Sequence, residues 1–207
     1  MKNSLNIKTR MITFENSPRY KGAGYQALKK QGFEPILSLG IDATDPKFEY
    51  CEPLVRNEIT SDDASNHMRS AEIACYLNHL NLWKEFLETS DEVCLFVEDD
   101  AIAKITHDEF CKKMSNVPDE FDCIQLSKRE NTHNTVIVNK DFVRAEPCGY
   151  GGYAYLLSRT GAKKLINQNN VKPTDLKFMQ LSIDGFVYNE IVDSFRHNWN
   201  IPSTIFI

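Results

Sequence analysis

The sequence predicts an α/β fold with a mostly parallel central sheet flanked by helices, and three stretches carry that prediction. Its first forty residues read as strand, helix, strand, a unit that favours parallel pairing and a right-handed crossover. A long apolar helix over 70–88 feeds a strand over 93–97 with no polar alternation, as expected of a strand covered on both faces. That strand ends in Glu98-Asp99-Asp100, and in open α/β sheets ligands sit beyond the carboxyl ends of such strands.

Length and composition set the frame. At 207 residues the chain can bury one substantial core, so a single domain over 1–207 is expected. The formal charge of -5 arises from 24 basic and 29 acidic residues that are interleaved, apart from pairs such as Lys29-Lys30, Lys112-Lys113 and Lys163-Lys164. Nucleic acid, whose phosphates call for clustered cations, is a poor partner for that surface. Six widely spaced cysteines form no Cys-x-x-Cys pair. With no leader pattern and no apolar run of about 18 residues, they point to free thiols in a reducing cytoplasm. Oligomeric state is not legible.

Taken in order, Arg10-Met-Ile-Thr-Phe14 is the first strand, and Pro18 suits the first turn of a helix over 20–30 that Gly32 ends. Pro35-Ile-Leu-Ser-Leu39 is the second strand. Residues 40–66 form an irregular excursion of the kind that is often functional. In the 70–88 helix, Ile73, Leu77, Leu80, Trp83 and Leu87 make one stripe, widened by Cys75, His79, Leu82 and Phe86, and Asn78, Glu85 and Glu88 are left as a polar strip. Asp122-Cys-Ile-Gln-Leu126 is a further strand, and 135–138 with 142–145 form a hairpin. Gly149-Tyr-Gly-Gly-Tyr153 leads into the apolar run Ala154-Tyr-Leu-Leu157, after which Ser158 caps a helix. A second helical pattern covers 176–192, and 203–207 reads as an edge strand.

Four features could carry chemistry. The acid triplet offers the hard oxygens that Mg²⁺ or Mn²⁺ prefers, with a substrate diphosphate completing the shell; the alternative is ordinary solvated acids opening a helix. Gly149, Gly151 and Gly152 either let backbone N–H groups approach a phosphate or sugar, or form a tight turn. His79 is either a hydrogen-bonded core residue or reaches a ligand from beneath the acids. Arg19 either clamps a diphosphate with its forked donors or sits on the surface.

The order of these pieces resembles glycosyltransferase family 25. The resemblance rests on Ile12-Thr-Phe-Glu-Asn-Ser-Pro-Arg19, Ser70-Ala-Glu-Ile-Ala-Cys-Tyr-Leu-Asn-His-Leu-Asn-Leu-Trp83, Leu95-Phe-Val-Glu-Asp-Asp-Ala101, Gly151-Gly-Tyr-Ala-Tyr-Leu-Leu-Ser-Arg-Thr-Gly-Ala-Lys-Lys-Leu165 and Pro173-Thr-Asp175. It implies a GT-A-like nucleotide-sugar fold and transfer of galactose or another hexose from a UDP-sugar to a glycan acceptor, as in lipopolysaccharide biosynthesis. It also implies a metal at Asp100 and Glu98. Thr13, Arg19, Glu98, Asp99, Gly151, Gly152 and Tyr153 would line the donor, and Asp175, Asp184 and His79 are candidates for catalysis. Asn78 stands where the family usually has serine. Two other readings of the acids remain: a Mg²⁺-dependent phosphohydrolase or receiver-like phosphoacceptor, and a non-catalytic nucleotide-sugar-binding module.

Overall fold

The computed structural model describes residues 7–46, 48, 70–117, 120–126, 136–144, 153–166, 178–181 and 186–188. Its main sheet has eight strands: β1 (Lys8–Thr13), β2 (Pro35–Leu39), β3 (Val93–Glu98), β5 (Cys123–Gln125), β6 (Val136–Ile137), β7 (Phe142–Arg144), β8 (Ala154–Ser158) and β9 (Phe178–Leu181). Their spatial order is β2-β1-β3-β8-β5-β9-β7-β6, and β4 (Ala101–Ala103) pairs separately with β10 (Phe186–Tyr188). The helices are α1 (Ala23–Lys30), α2 (Ser70–Glu88), α3 (His107–Met114) and α4 (Arg159–Ile166).

Burial explains the layering. On β3, Leu95 and Val97 face a cluster with Leu28 of α1, Phe110 and Met114 of α3, and Phe33. Cys94 and Phe96 face the opposite cluster, with Leu82, Trp83 and Phe86 of α2 and Ala162 and Leu165 of α4. Residues 94–97 are all at most 1% exposed, so the strand is covered on both faces as its unbroken apolarity predicts. Direction is a different matter. β3 is parallel to β1 but antiparallel to β8, and the sheet is mixed rather than mostly parallel. A continuously apolar strand reports that both faces are covered, not which way its neighbours run.

Several local readings are corrected. Residues 15–22 are a chain of turns, and α1 starts only at Ala23. Lys21 has φ 52, which no α-helix accommodates, so Pro18 sits in a turn and not in a helix. At the other end, Gly32 with φ 85 does terminate α1: its N–H and that of Phe33 return to the Lys29 and Leu28 carbonyls, and Phe33 is buried. The acids after β3 form a turn into β4 and do not open a helix. Within 176–192, the aromatic-rich pieces Phe178–Leu181 and Phe186–Tyr188 are strands, because the open edges of β5, β7 and β4 satisfy their backbone groups. The 142–145 hairpin pairs as expected, Ile137 opposite Val143. The 203–207 strand and most of the 40–66 excursion lie outside the described residues.

α3 carries a sequence signal that hydrophobic periodicity passes over. The Thr106 hydroxyl accepts the Glu109 N–H at 3.2 Å and the Glu109 carboxylate accepts the Thr106 N–H at 2.9 Å, a complete capping box. α4 is capped as expected, with Ser158 Oγ accepting the Gly161 N–H at 3.0 Å.

Arg159 fastens α4 to the end of α2. It donates to the Leu87 carbonyl at 3.0 Å, the Asp91 carbonyl at 3.1 Å and the Thr89 carbonyl, all among the acceptors that a helix end leaves without intrahelical partners or just beyond it. Arg159→Ala is expected to lower unfolding stability by about 2–3 kcal/mol in urea titration, since three carbonyls lose a charged donor. Arg159→Lys should recover less than half, because an ammonium cannot span them as a planar fork does.

Candidate functional site

The parallel register of β1 and β3 sets Ile12 opposite Glu98, so the next residues, Thr13 and Asp99, are neighbours at the carboxyl ends of both strands. Strand alternation then splits the acid triplet. Glu98 shares the face of Cys94 and Phe96 and turns toward α2, while Asp99 turns toward the 15–22 turns. Asp99 accepts the Thr13 hydroxyl at 3.0 Å and the Ser17 hydroxyl at 3.4 Å. Ser17 in turn accepts the Arg19 N–H at 3.1 Å, which ties the turn to the acids.

Arg19 supplies the counter-charge that clustered acids demand. Its guanidinium pairs with Asp100 Oδ2 and stands 3.4 Å from Asp99 Oδ1. In this structure it therefore faces carboxylates, and its sequence-based assignment to a diphosphate requires it to serve both. Glu98, Asp99 and Asp100 set against one guanidinium leave an excess of two negative charges when all are ionised. Protonation relieves that excess. Burial, reinforced by the charge of Glu98 and opposed by Arg19, pushes Asp100 from 3.8 up to about 7. Asp99 is also raised, first by burial, with Arg19 and the Thr13 hydroxyl opposing.

Asp100 Oδ1 is buried and has no hydrogen-bond partner among the described residues. An unsatisfied buried carboxylate oxygen is costly and calls for a partner that the described residues do not provide. The acid turn is held from below by Gly24 of α1. A Cβ there would lie 2.3 Å from the Asp99 carbonyl oxygen and 3.0 Å from that of Ala101.

On the other face, Glu98 Oε1 lies 3.2 Å from His79 Nε2, and His79 Nδ1 lies 2.7 Å from the Tyr155 hydroxyl, which accepts the Trp83 Nε1–H at 2.8 Å. A carboxylate only accepts, so Nε2 carries the proton and Tyr155 donates to Nδ1. Both readings of His79 meet here: it is fully buried, and it touches the acid cluster from beneath. Full burial makes it a residue that positions Glu98. Burial also holds the Tyr155 phenol well above its usual range, so it stays a proton donor.

Asn78 is not part of a polar strip. It is 4% exposed, accepts the Ile41 N–H at 2.6 Å and donates to the Ile41 carbonyl at 3.1 Å, clamping the chain where it leaves β2. Tyr153 accepts the Glu98 N–H through its carbonyl at 2.8 Å, which brings the end of the glycine-tyrosine segment to the acids. Thr13, Arg19, His79, Glu98, Asp99, Asp100 and Tyr153 are thus assembled in one place. Gly151, Gly152, Asp175 and Asp184 lie outside the described residues. Ser17, Trp83 and Tyr155 join the site only through the fold. For Tyr155 the chain does hold a signal: a hydroxyl within an apolar run must find a partner once buried.

A family model described as glycosyltransferase family 25 (LPS biosynthesis protein) matches residues 7–184. The chain belongs to glycosyltransferase family 25. Within that family's span lie every element from β1 to β9 and the whole acid cluster. Among curated relatives, human procollagen galactosyltransferase 2 is 30% identical over 117 residues, which are 51% of this chain and 18% of that protein. The chain therefore matches less than a fifth of that relative's length. Among solved structures, A197 from STIV superposes with a TM-score of 0.43 at 11% identity, covering 85% of this chain and 82% of that one. Membership in family 25 favours a transferase over a phosphohydrolase or receiver-like phosphoacceptor, and implies a nucleotide-sugar donor and an acceptor. No helix among the described residues is long and apolar enough to cross a membrane.

Proposed function

We propose that this family 25 chain transfers galactose or another hexose from a UDP-sugar to a glycan hydroxyl with the help of Mg²⁺ or Mn²⁺, on a GT-A-like arrangement in the cytoplasm. The observation that carries the reading is Asp100 Oδ1, a buried acid oxygen without a protein partner among the described residues, set beside Asp99 and an excess of negative charge. Hard carboxylate oxygens fit such a cation, which Asp100 would hold through Oδ1, with Glu98 contributing only the oxygen that does not face His79. When bound, it supplies Lewis-acid stabilisation of the charge that grows on a departing diphosphate.

The chain's own residues do the rest. Thr13 and Ser17 fix the Asp99 carboxylate, so that the turn does not have to reorganise when a donor arrives. Arg19 holds the acids while the donor is absent, and its fork can then share its hydrogen bonds with a diphosphate. Tyr153, Gly151 and Gly152 would border the sugar, and Asp175 or Asp184 would take the acceptor proton. The human relative's name supports galactose as the first sugar to try.

UDP release from UDP-galactose, UDP-glucose and UDP-N-acetylglucosamine should be measured with Mn²⁺ and with chelator, alongside calorimetric binding of each donor. Donor binding that needs the cation, with release stimulated by a glycan acceptor, is expected. Binding without any turnover would turn the reading into that of a nucleotide-sugar-binding module, and absence of both would overturn it.

A further inference from the structure

We propose that Cys75, His79 and Glu98 form a binding site for a borderline-soft divalent cation of the Zn²⁺ class, distinct from the hard-oxygen position at Asp100. The donor set assigns the class: a thiolate and an imidazole suit Zn²⁺, whereas Mg²⁺ and Mn²⁺ favour oxygen. Cys75 and His79 are one helical turn apart on α2 and project to the same side, and Glu98 reaches them because β3 alternation turns it to that face.

The geometry is close to what such a cation requires. Glu98 Oε1 lies 3.2 Å from His79 Nε2 and 4.0 Å from Cys75 Sγ, and the three ligand atoms all lie within 4.8 Å of one another. Around tetrahedral Zn²⁺, bonds of about 2.0–2.3 Å place such atoms roughly 3.3–3.7 Å apart, so the widest gap closes by at most about 1.5 Å, shared between two side chains. Cys75 and Glu98 are partly exposed, which leaves the site open to solvent, while His79 is fully buried and held from behind.

The outer shell is also in place. With the cation on Nε2, the imidazole keeps one proton, now on Nδ1, and donates it to the Tyr155 oxygen, so the Tyr155 hydroxyl turns its own proton away from Nδ1. That oxygen has a second lone pair for the Trp83 N–H. The thiol proton leaves to solvent as the S–metal bond forms, so one proton is released per cation bound. Three ligands among the described residues leave a further coordination position, as in open zinc sites rather than closed structural ones. Glu98 is common to both cation positions, so the deciding readout is the bond to the Cys75 thiolate, which turnover of a nucleotide sugar does not report.

Co²⁺ titration of the full chain under reducing conditions tests this. Expected are a thiolate-to-cobalt charge-transfer band in the near ultraviolet that saturates at one equivalent, with visible bands of a tetrahedral centre, and loss of both on addition of Zn²⁺. Cys75→Ser should remove the charge-transfer band, and Glu98→Gln should weaken binding roughly tenfold or more. Because His79 is fully buried and its replacement risks the fold, Cys75→Ser, checked by circular dichroism, is the deciding variant. Cys111→Ser is the control, since Cys111 Sγ lies 3.6 Å from His107 Nε2 and is a competing thiol–imidazole pair. No band in the unaltered chain, a band that survives Cys75→Ser, or one lost in Cys111→Ser would overturn the proposal.

Discussion

Asp100→Asn is expected to abolish most cation-dependent transfer, by roughly 100-fold or more, while making the metal-free protein more stable at alkaline pH. Both effects follow from one buried carboxyl. In the fold Asp100 is raised from 3.8 to about 7, chiefly by burial and then by Glu98. A raised folded-state value means that its contribution to stability is fully present below the ordinary carboxylate range and is lost as pH rises through about 7. Melting of the metal-free chain should therefore fall between pH 4 and pH 8 by an amount on the order of 3 kcal/mol in stability. Asp100→Asn removes most of that slope, leaving the part due to Asp99, and melts higher than the unaltered chain at pH 8. Adding Mn²⁺ should restore stability to the unaltered chain and leave the variant unmoved, because a cation that binds only the ionised folded form stabilises it by mass action. Normal turnover in the variant, or a metal-free melting temperature independent of pH, would count against Asp100 as a ligand.

Gly24→Ala should damage the site through the backbone. The added methyl would stand 2.3 Å from the Asp99 carbonyl oxygen, whereas ordinary contact begins near 3.4 Å, so α1 and the acid turn must part by about 1 Å. Both sides of the clash are main chain and neither can rotate away. Such overpacking costs roughly 1–3 kcal/mol, and the separation moves Asp99 and Asp100 relative to Thr13 and Arg19. Gly161→Ala makes a matched control. Its methyl would lie 2.3 Å from the Asp122 carbonyl oxygen, near the amino end of β5 and away from the acids. The two variants should lose similar stability in urea titration, and only Gly24→Ala should also weaken UDP-sugar binding. Equal donor affinity in both would separate the acid turn from the donor site.

Much of the fold is legible in the chain because burial leaves a local imprint. The helix Ser70–Glu88 and the strand Pro35–Leu39 begin and end as their apolar periodicity and flanking residues indicate. The Gly32 stop and the Ser158 cap are equally local, since each concerns hydrogen bonds within a few residues. The 176–192 segment shows the limit. Its residues tolerate either state, and the edges of β5, β7 and β4, distant in sequence, make Phe178–Leu181 and Phe186–Tyr188 strands.

The candidate site divides in the same way. Glu98-Asp99-Asp100 at the end of a buried strand marks where charge collects, and Arg19 and His79 are drawn from the same few sequence blocks. That much the sequence by itself determined: an α/β chain, an acid cluster at a strand end, and membership in a family of sugar transferases. Only the tertiary structure decided that the three acids part company. Glu98 goes with Cys75, His79 and Tyr155 on one face, and Asp99 goes with Thr13, Ser17 and Arg19 on the other. The reason is geometric. Alternation along a strand sends successive side chains to opposite faces, but the partners waiting there are fixed by register between strands and by which helix covers each face.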